Sequence, residues 1–224
     1  MARAIGLLLI LLGAVSAVLG ALIAVAGFKE RLLERDFADL QRNFDADAWA
    51  GVLTRSDALP SLTPWNADLH ELSGRVHAFA AERVASSPRA QIMHLRAAEA
   101  RFERSVSWRP SGVFGWLNLA DIRYQLNPQS EQWRLAFERA ISLGVRGNSI
   151  QFRLLALRER FDSVRDPALL QAFEQALLLG LNDDAWPLLG YLSLRSRLQW
   201  ACDLAKLPEQ AATICREQYR WQRP

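Results

Sequence analysis

Phe102-Glu103-Arg104-Ser105-Val106 returns as Phe137-Glu138-Arg139-Ala140-Ile141 and again as Phe173-Glu174-Gln175-Ala176-Leu177. The copies begin 35 and then 36 residues apart. A fixed period in this range is the signature of stacked helical repeats. A large apolar residue follows each block (Trp108, Leu143, Leu179), and a stop signal comes next at Arg109-Pro110, Gly144 and Gly180. Each unit reads as a helix pair whose apolar face only a neighbouring unit can bury. Such repeats make surfaces rather than reaction centres, so the pattern points to binding.

The register fits the tetratricopeptide (TPR) pattern, in which Trp-x-x-Leu-Gly opens helix A, Ala-x-x-x-Phe-x-x-Ala lies in helix B and Pro closes the unit. Phe102, Ser105 and Pro110 take the Phe, small and Pro positions; Trp116, Leu119 and Ala120 take the next Trp, Leu and Gly positions. Phe137 and Ala140 recover the helix B signature one residue late. The pattern then degrades, with Val145 and Leu181 in place of Pro and Gln151 and Pro187 in place of Trp. About two and a half degenerate units span residues 88–197; an ordinary helical bundle is the alternative.

Ala4 to Phe28 holds no charged residue and is mostly Leu, Ile, Val, Ala and Gly, with Arg3 and Lys29 on either side. At a rise of 1.5 Å per residue this run is longer than the roughly 30 Å hydrocarbon core. Small-residue cleavage sites at Val15-Ser16-Ala17 and Ala24-Val25-Ala26 make a signal peptide the competing reading. The apolar run is longer than the usual signal core, which favours an uncleaved anchor. Gly13, Ala17, Gly20, Ala24 and Gly27 step by four and three residues and share one helix face. Small faces let membrane helices approach closely, so this one is expected to dock on a second copy or on a partner's membrane helix; the ordinary abundance of Gly and Ala in such spans is the alternative.

Lys29, Arg31, Arg35 and Arg42 follow the span, and counted alone they put the large domain in the cytoplasm. The two cysteines, Cys202 and Cys215, argue the other way. Between them a helix end, a short turn and a new helix begun near Pro208 would bring the thiols level on facing helices, as a disulfide requires. Two unpaired core thiols are the alternative. A disulfide implies an oxidising compartment, here the periplasm, and is given more weight than the mixed flanking charges. Two sulfurs with no histidine nearby do not make a metal site.

The net charge of +3 is modest, and the arginines are scattered among acids. No basic block with interleaved aromatics occurs, which argues against nucleic-acid binding. The chain reads as all-α, with an anchor over 1–28, a juxtamembrane helix and loop over 29–64, and a TPR-like domain over 65–224. Leu32, Leu33, Phe37, Leu40 and Phe44 continue the anchor helix at helical spacing. Ser56, Pro60, Ser61 and Pro64 mark a loop over 55–64. Helix starts are expected at Thr63-Pro64, Ser87-Pro88, Asn127-Pro128, Asp166-Pro167 and Asn182-Asp183-Asp184.

No catalytic, cofactor or metal constellation is present in the sequence: no His-Glu-x-x-His, nucleophile elbow or phosphate-cradling glycine loop. His70 and His77 share one face of one helix and read as surface or half-buried positions. The expected binding surface follows from the repeat register, where helix A lines the inner groove. Its positions are Phe114, Leu117, Asp121 and Tyr124, then Ser149, Phe152, Ala156 and Glu159. An aromatic groove of mixed charge suits a peptide or helix from a partner protein; simple filling of the stack is the alternative.

The anchor, Arg109-Pro110, Trp116-x-Asn118-Leu119-Ala120, and Ala136-Phe137-Glu138-Arg139-Ala140 ending in Leu143-Gly144 occur together. In this the chain resembles the small single-pass TPR-like proteins of bacterial exopolysaccharide and O-antigen clusters, the VpsP-like polysaccharide-biosynthesis proteins. The resemblance implies a non-catalytic adaptor of the bacterial inner membrane that holds a protein partner in an envelope polysaccharide assembly complex. A scaffold for another envelope process, such as cytochrome maturation or division, is the alternative.

Overall fold

The computed structural model describes residues 2–144, 148–161, 167–183, 185–194, 198–204 and 207–221; the side chains of 2–9, 62, 148, 149, 168 and 218–221 are not described. Val145, Asp166, Asp184 and the side chain of Ser149 therefore lie outside the described residues. The described chain is all helix, with no strand. Its elements are α1 (Ala2–Arg42), α2 (Ala46–Leu62), α3 (Ala67–Arg83), α4 (Pro88–Trp108), α5 (Val113–Leu126), α6 (Glu131–Ser142), α7 (Asn148–Arg160), α8 (Pro167–Asp183), α9 (Ala185–Leu194), α10 (Leu198–Cys202) and α11 (Glu209–Trp221). They form two compact units, Met1–Pro110 with Gln125–Pro128, and Ser111–Tyr124 with Gln129–Pro224.

In the first unit α1 is one unbroken helix. Its most apolar window has a mean hydropathy of 2.4, and among the described residues it alone is long and apolar enough to cross a membrane. The helix does not end where the apolar run ends. Ala26, Leu33, Phe37 and Leu40 are buried in one core with Trp49, Val52 and Leu59 of α2 and Leu69, Leu72, Val76 and Ala80 of α3. The juxtamembrane stretch is thus packed with α3 in a helical bundle. The loop expected over 55–64 is helical to Leu62 with Pro60 inside it. A mid-helix proline costs about 3 kcal/mol. Against that, Trp49, Val52, Ser56 and Leu59 form a buried stripe at helical spacing that holds the last turn in place. The next start also shifts: Asn66, not Thr63, caps α3, its side chain accepting from the backbone N–H of Asp68 and Leu69.

The Ser87-Pro88 signal is found where expected. Ser87 caps α4 and Pro88 takes its first turn. α4 returns antiparallel to α3, its C-terminal Arg109 paired with Asp68 and Glu71. Phe102, the first residue of the sequence block, is buried in this hairpin against Gly74. A Cβ at residue 74 would stand 2.7 Å from the Phe102 ring.

In the second unit Phe137 and Phe173 are buried on α6 and α8, and their ring centroids are 4.7 Å apart. They are the same position of the sequence block, one period apart. A second contact repeats that spacing: Arg153 of α7 donates from Nε to Asn118 Oδ1 of α5 at 3.0 Å. The block's small residues, Ser105, Ala140 and Ala176, are all buried, as the pattern requires. Its stops hold at Trp108 and at Gly144, which has a positive φ of 92° at the end of α6. At Gly180 the expected stop is absent, and α8 runs on to Asp183. That glycine serves close packing: a Cβ there would lie 2.6 Å from Gln151 and 2.8 Å from Leu188. Asn127-Pro128 does not start α6; Ser130 caps it. Pro167 opens α8, and α9 begins just beyond Asp183. Cys202 and Cys215 form a disulfide joining α10 to α11, with Cα atoms 5.7 Å apart.

Candidate functional site

The positions expected to line a groove gather on α5 and α7, but several are turned inward. Leu117 is fully buried, so it packs the unit instead of meeting a partner. Asp121 is 3 % exposed and is held by Arg153 Nη2 at 2.7 Å and Arg160 Nε at 2.9 Å. Guanidinium groups here take the place of the water that a carboxylate this deep has lost. Tyr124 is half-buried and meets Phe161 at a tilt and Trp133 edge-on, at centroid distances of 4.5 and 5.3 Å. Phe152 packs on Tyr191 against the α8–α11 core. Phe114, Ala156 and Glu159 are half-buried. The expected positions thus lie on two helices, α5 and α7, with Leu117 and Asp121 packed inside the unit and Phe114, Tyr124, Phe152, Ala156 and Glu159 half-buried.

A polar cluster that the sequence did not signal lies in the first unit. His70, His77 and His94 are all buried, deeper than the surface or half-buried positions expected for the first two. His77 Nε2 is 2.9 Å from Asp57 Oδ1, and its Nδ1 is 3.3 Å from His94 Nδ1. Arg101 also reaches Asp57. The carboxylate assigns the tautomer: His77 donates from Nε2, so its Nδ1 accepts and His94 donates from Nδ1. Burial, and then the neighbouring His77, pushes the His94 pKa down, while Asp57 opposes this. Burial also lowers His70, whose Nε2 bonds the Pro64 carbonyl. The partners of His77 are Asp57 and His94, so the triad links α2, α3 and α4 through side-chain hydrogen bonds.

An open cleft of about 530 Å³ between α1 and α2 is lined by Asp36, Asp39, Asp45, Asp47 and Arg55. Asp36 binds Arg55, Asp39 binds Arg42, and Asp45 caps α2. No group of three or more metal-ligating side chains occurs among the described residues. On α1, the small stripe is uncovered: a Cβ on Gly13, Gly20 or Gly27 would meet nothing within 4 Å, and Ala17 and Ala24 are exposed. Compared with family models, curated proteins and solved structures, the chain matches none.

Proposed function

We propose that this protein is a non-catalytic, membrane-anchored adaptor, fixed by α1 in the bacterial inner membrane with its helical units in the periplasm. Its second unit is a degenerate TPR-like stack that holds a protein partner of an envelope polysaccharide assembly or export machine. The observation that carries the adaptor reading is contact at one-period spacing, Phe137 on Phe173 and Asn118 with Arg153. Stacked repeats bury equivalent positions against each other in this way. The Cys202–Cys215 bond supports an oxidising compartment. The polysaccharide assignment rests on the sequence resemblance.

With Leu117 and Asp121 taken up inside the unit, partner contact falls to the half-buried Phe114, Phe152 and Glu159 beside Tyr124. A C-terminal alkaline phosphatase fusion to the full chain should be active and its green fluorescent counterpart dark. Deleting the gene should lower the amount or length of surface polysaccharide. A silent phosphatase would move the units to the cytoplasm, and unchanged polymer would remove the polysaccharide role.

A further inference from the structure

We propose that one end of the first unit, made by the α2–α3 turn and the C-terminus of α4, is seated in the lipid headgroup layer, with Trp65 and Trp108 as its anchors. The inference rests on α1 crossing the membrane.

Depth can be read along α1, because α3 runs parallel to it. Glu34 pairs with Arg75, and Phe37 meets Phe79 edge-on at 5.6 Å. Moving toward the N-terminus, Glu30 faces Asn66 and Asp68 at the start of α3. Trp65 precedes that cap, so it lies level with the last turn of the apolar run, between Ala26 and Lys29. Ala26 is itself 2 % exposed and belongs to the core shared with α2 and α3. The bundle therefore begins inside the uncharged stretch and cannot stand clear of a bilayer that α1 spans. α4 brings its end back to the same level, since Arg109 pairs with Asp68 and Glu71. Trp108 is the residue before it.

Trp65 and Trp108 are 49 % and 52 % exposed, and Phe28 on α1 is 65 % exposed. Elsewhere the same unit keeps its indole inside: Trp49 is 3 % exposed. Two half-bare indoles at the depth where an apolar helix leaves its hydrocarbon match the aromatic belt of membrane proteins, in which the ring meets acyl chain and the N–H meets the polar layer. Lys29 and Arg31, exposed at this level, are placed to reach phosphates.

The test uses the full chain in phosphatidylethanolamine–phosphatidylglycerol vesicles doped with a lipid carrying a nitroxide on its headgroup. Wild-type tryptophan emission should be quenched. Trp65→Phe and Trp108→Phe should each remove part of that quenching and the double variant should remove most of it, with helical circular dichroism retained. Quenching absent from the wild type, or equal in wild type and double variant, would overturn the seating. Flotation after an alkaline carbonate wash separates the two ideas. A wild type that floats but is not quenched loses only the seating. One that is washed off loses the membrane anchor and the seating with it.

Discussion

His94 Nδ1 lies 3.3 Å from His77 Nδ1, and burial together with that neighbour holds the His94 pKa down. The folded-state pKa values of His70 and His94 lie below the ordinary 6.5. Below that value the unfolded chain binds more protons than the folded one, so their contribution is full above about pH 6.5 and is lost as pH falls through the folded values. Glu30 and Glu71, pushed up from 4.5 chiefly by burial, act in the opposite sense: their contribution is present below 4.5 and is lost as pH rises through their folded values. Melting of the full chain in detergent should therefore show a histidine component that falls from pH 7.5 to 5.5. A His70→Gln, His94→Gln double variant should have a smaller acid-side fall, and an identical slope would refute the assignment. None of this was legible in the sequence. Asp57, His77 and His94 sit on three helices, and Asp57 fell in a stretch whose two prolines and two serines read as loop. Asp121 was legible as a helical residue, but a register cannot show that Arg153, 32 residues later, would claim it.

Helix pairs set the next scale. Gly74 and Phe102 fix how closely α3 and α4 approach. Adding a methyl as Gly74→Ala gains about 1 kcal/mol of helix propensity but overpacks a buried ring, at a cost of about 1–3 kcal/mol. Amide exchange across α3 and α4 should show a net loss of protection. In a Phe102→Leu background the same change should be neutral or stabilising, and failure of the sign to reverse would mean the ring is not the obstacle. At α10 and α11, the disulfide closes a loop of 13 residues in sequence separation. Replacing Cys202 and Cys215 by Ser should weaken protection around that core by about 3 kcal/mol, from the loop-closure entropy; no change would show that the link constrains nothing. Elements were legible wherever a cap and an apolar stripe agreed, as at Ser87-Pro88. They were misread where composition and stripe disagreed. Pro60 sits inside α2 because Trp49, Val52 and Leu59 are worth more buried than a straight last turn costs. Gly180 continues α8 because it is the point of contact with Gln151 and Leu188.

Across the whole chain, the N-terminal helix and the period near 35 residues were visible at once, since both depend on local composition. The division near residue 110 was not, because it depends on α1 and α2 burying one face of α3 while α4 packs on another. The uncovered small stripe belongs to this scale as well. Replacing Gly13 and Gly20 with Ile should abolish self-pairing in a bacterial membrane two-hybrid assay if that face docks copies, and undiminished signal would exclude it. The continuity of α1 gives such pairing a fixed geometry. At 100° per residue, the line through Gly13, Ala17, Gly20, Ala24 and Gly27 lies about 150° around the helix from Ala26, Leu33, Phe37 and Leu40. With no hinge between the two stripes, the azimuth of one dictates the azimuth of the other. Two copies joined along their glycines would stand back to back, their first units thrown outward like the arms of a propeller. Pairing within the bilayer would then leave untouched the face of α1 that packs on α2 and α3, so the first unit would not have to rearrange for two copies to meet.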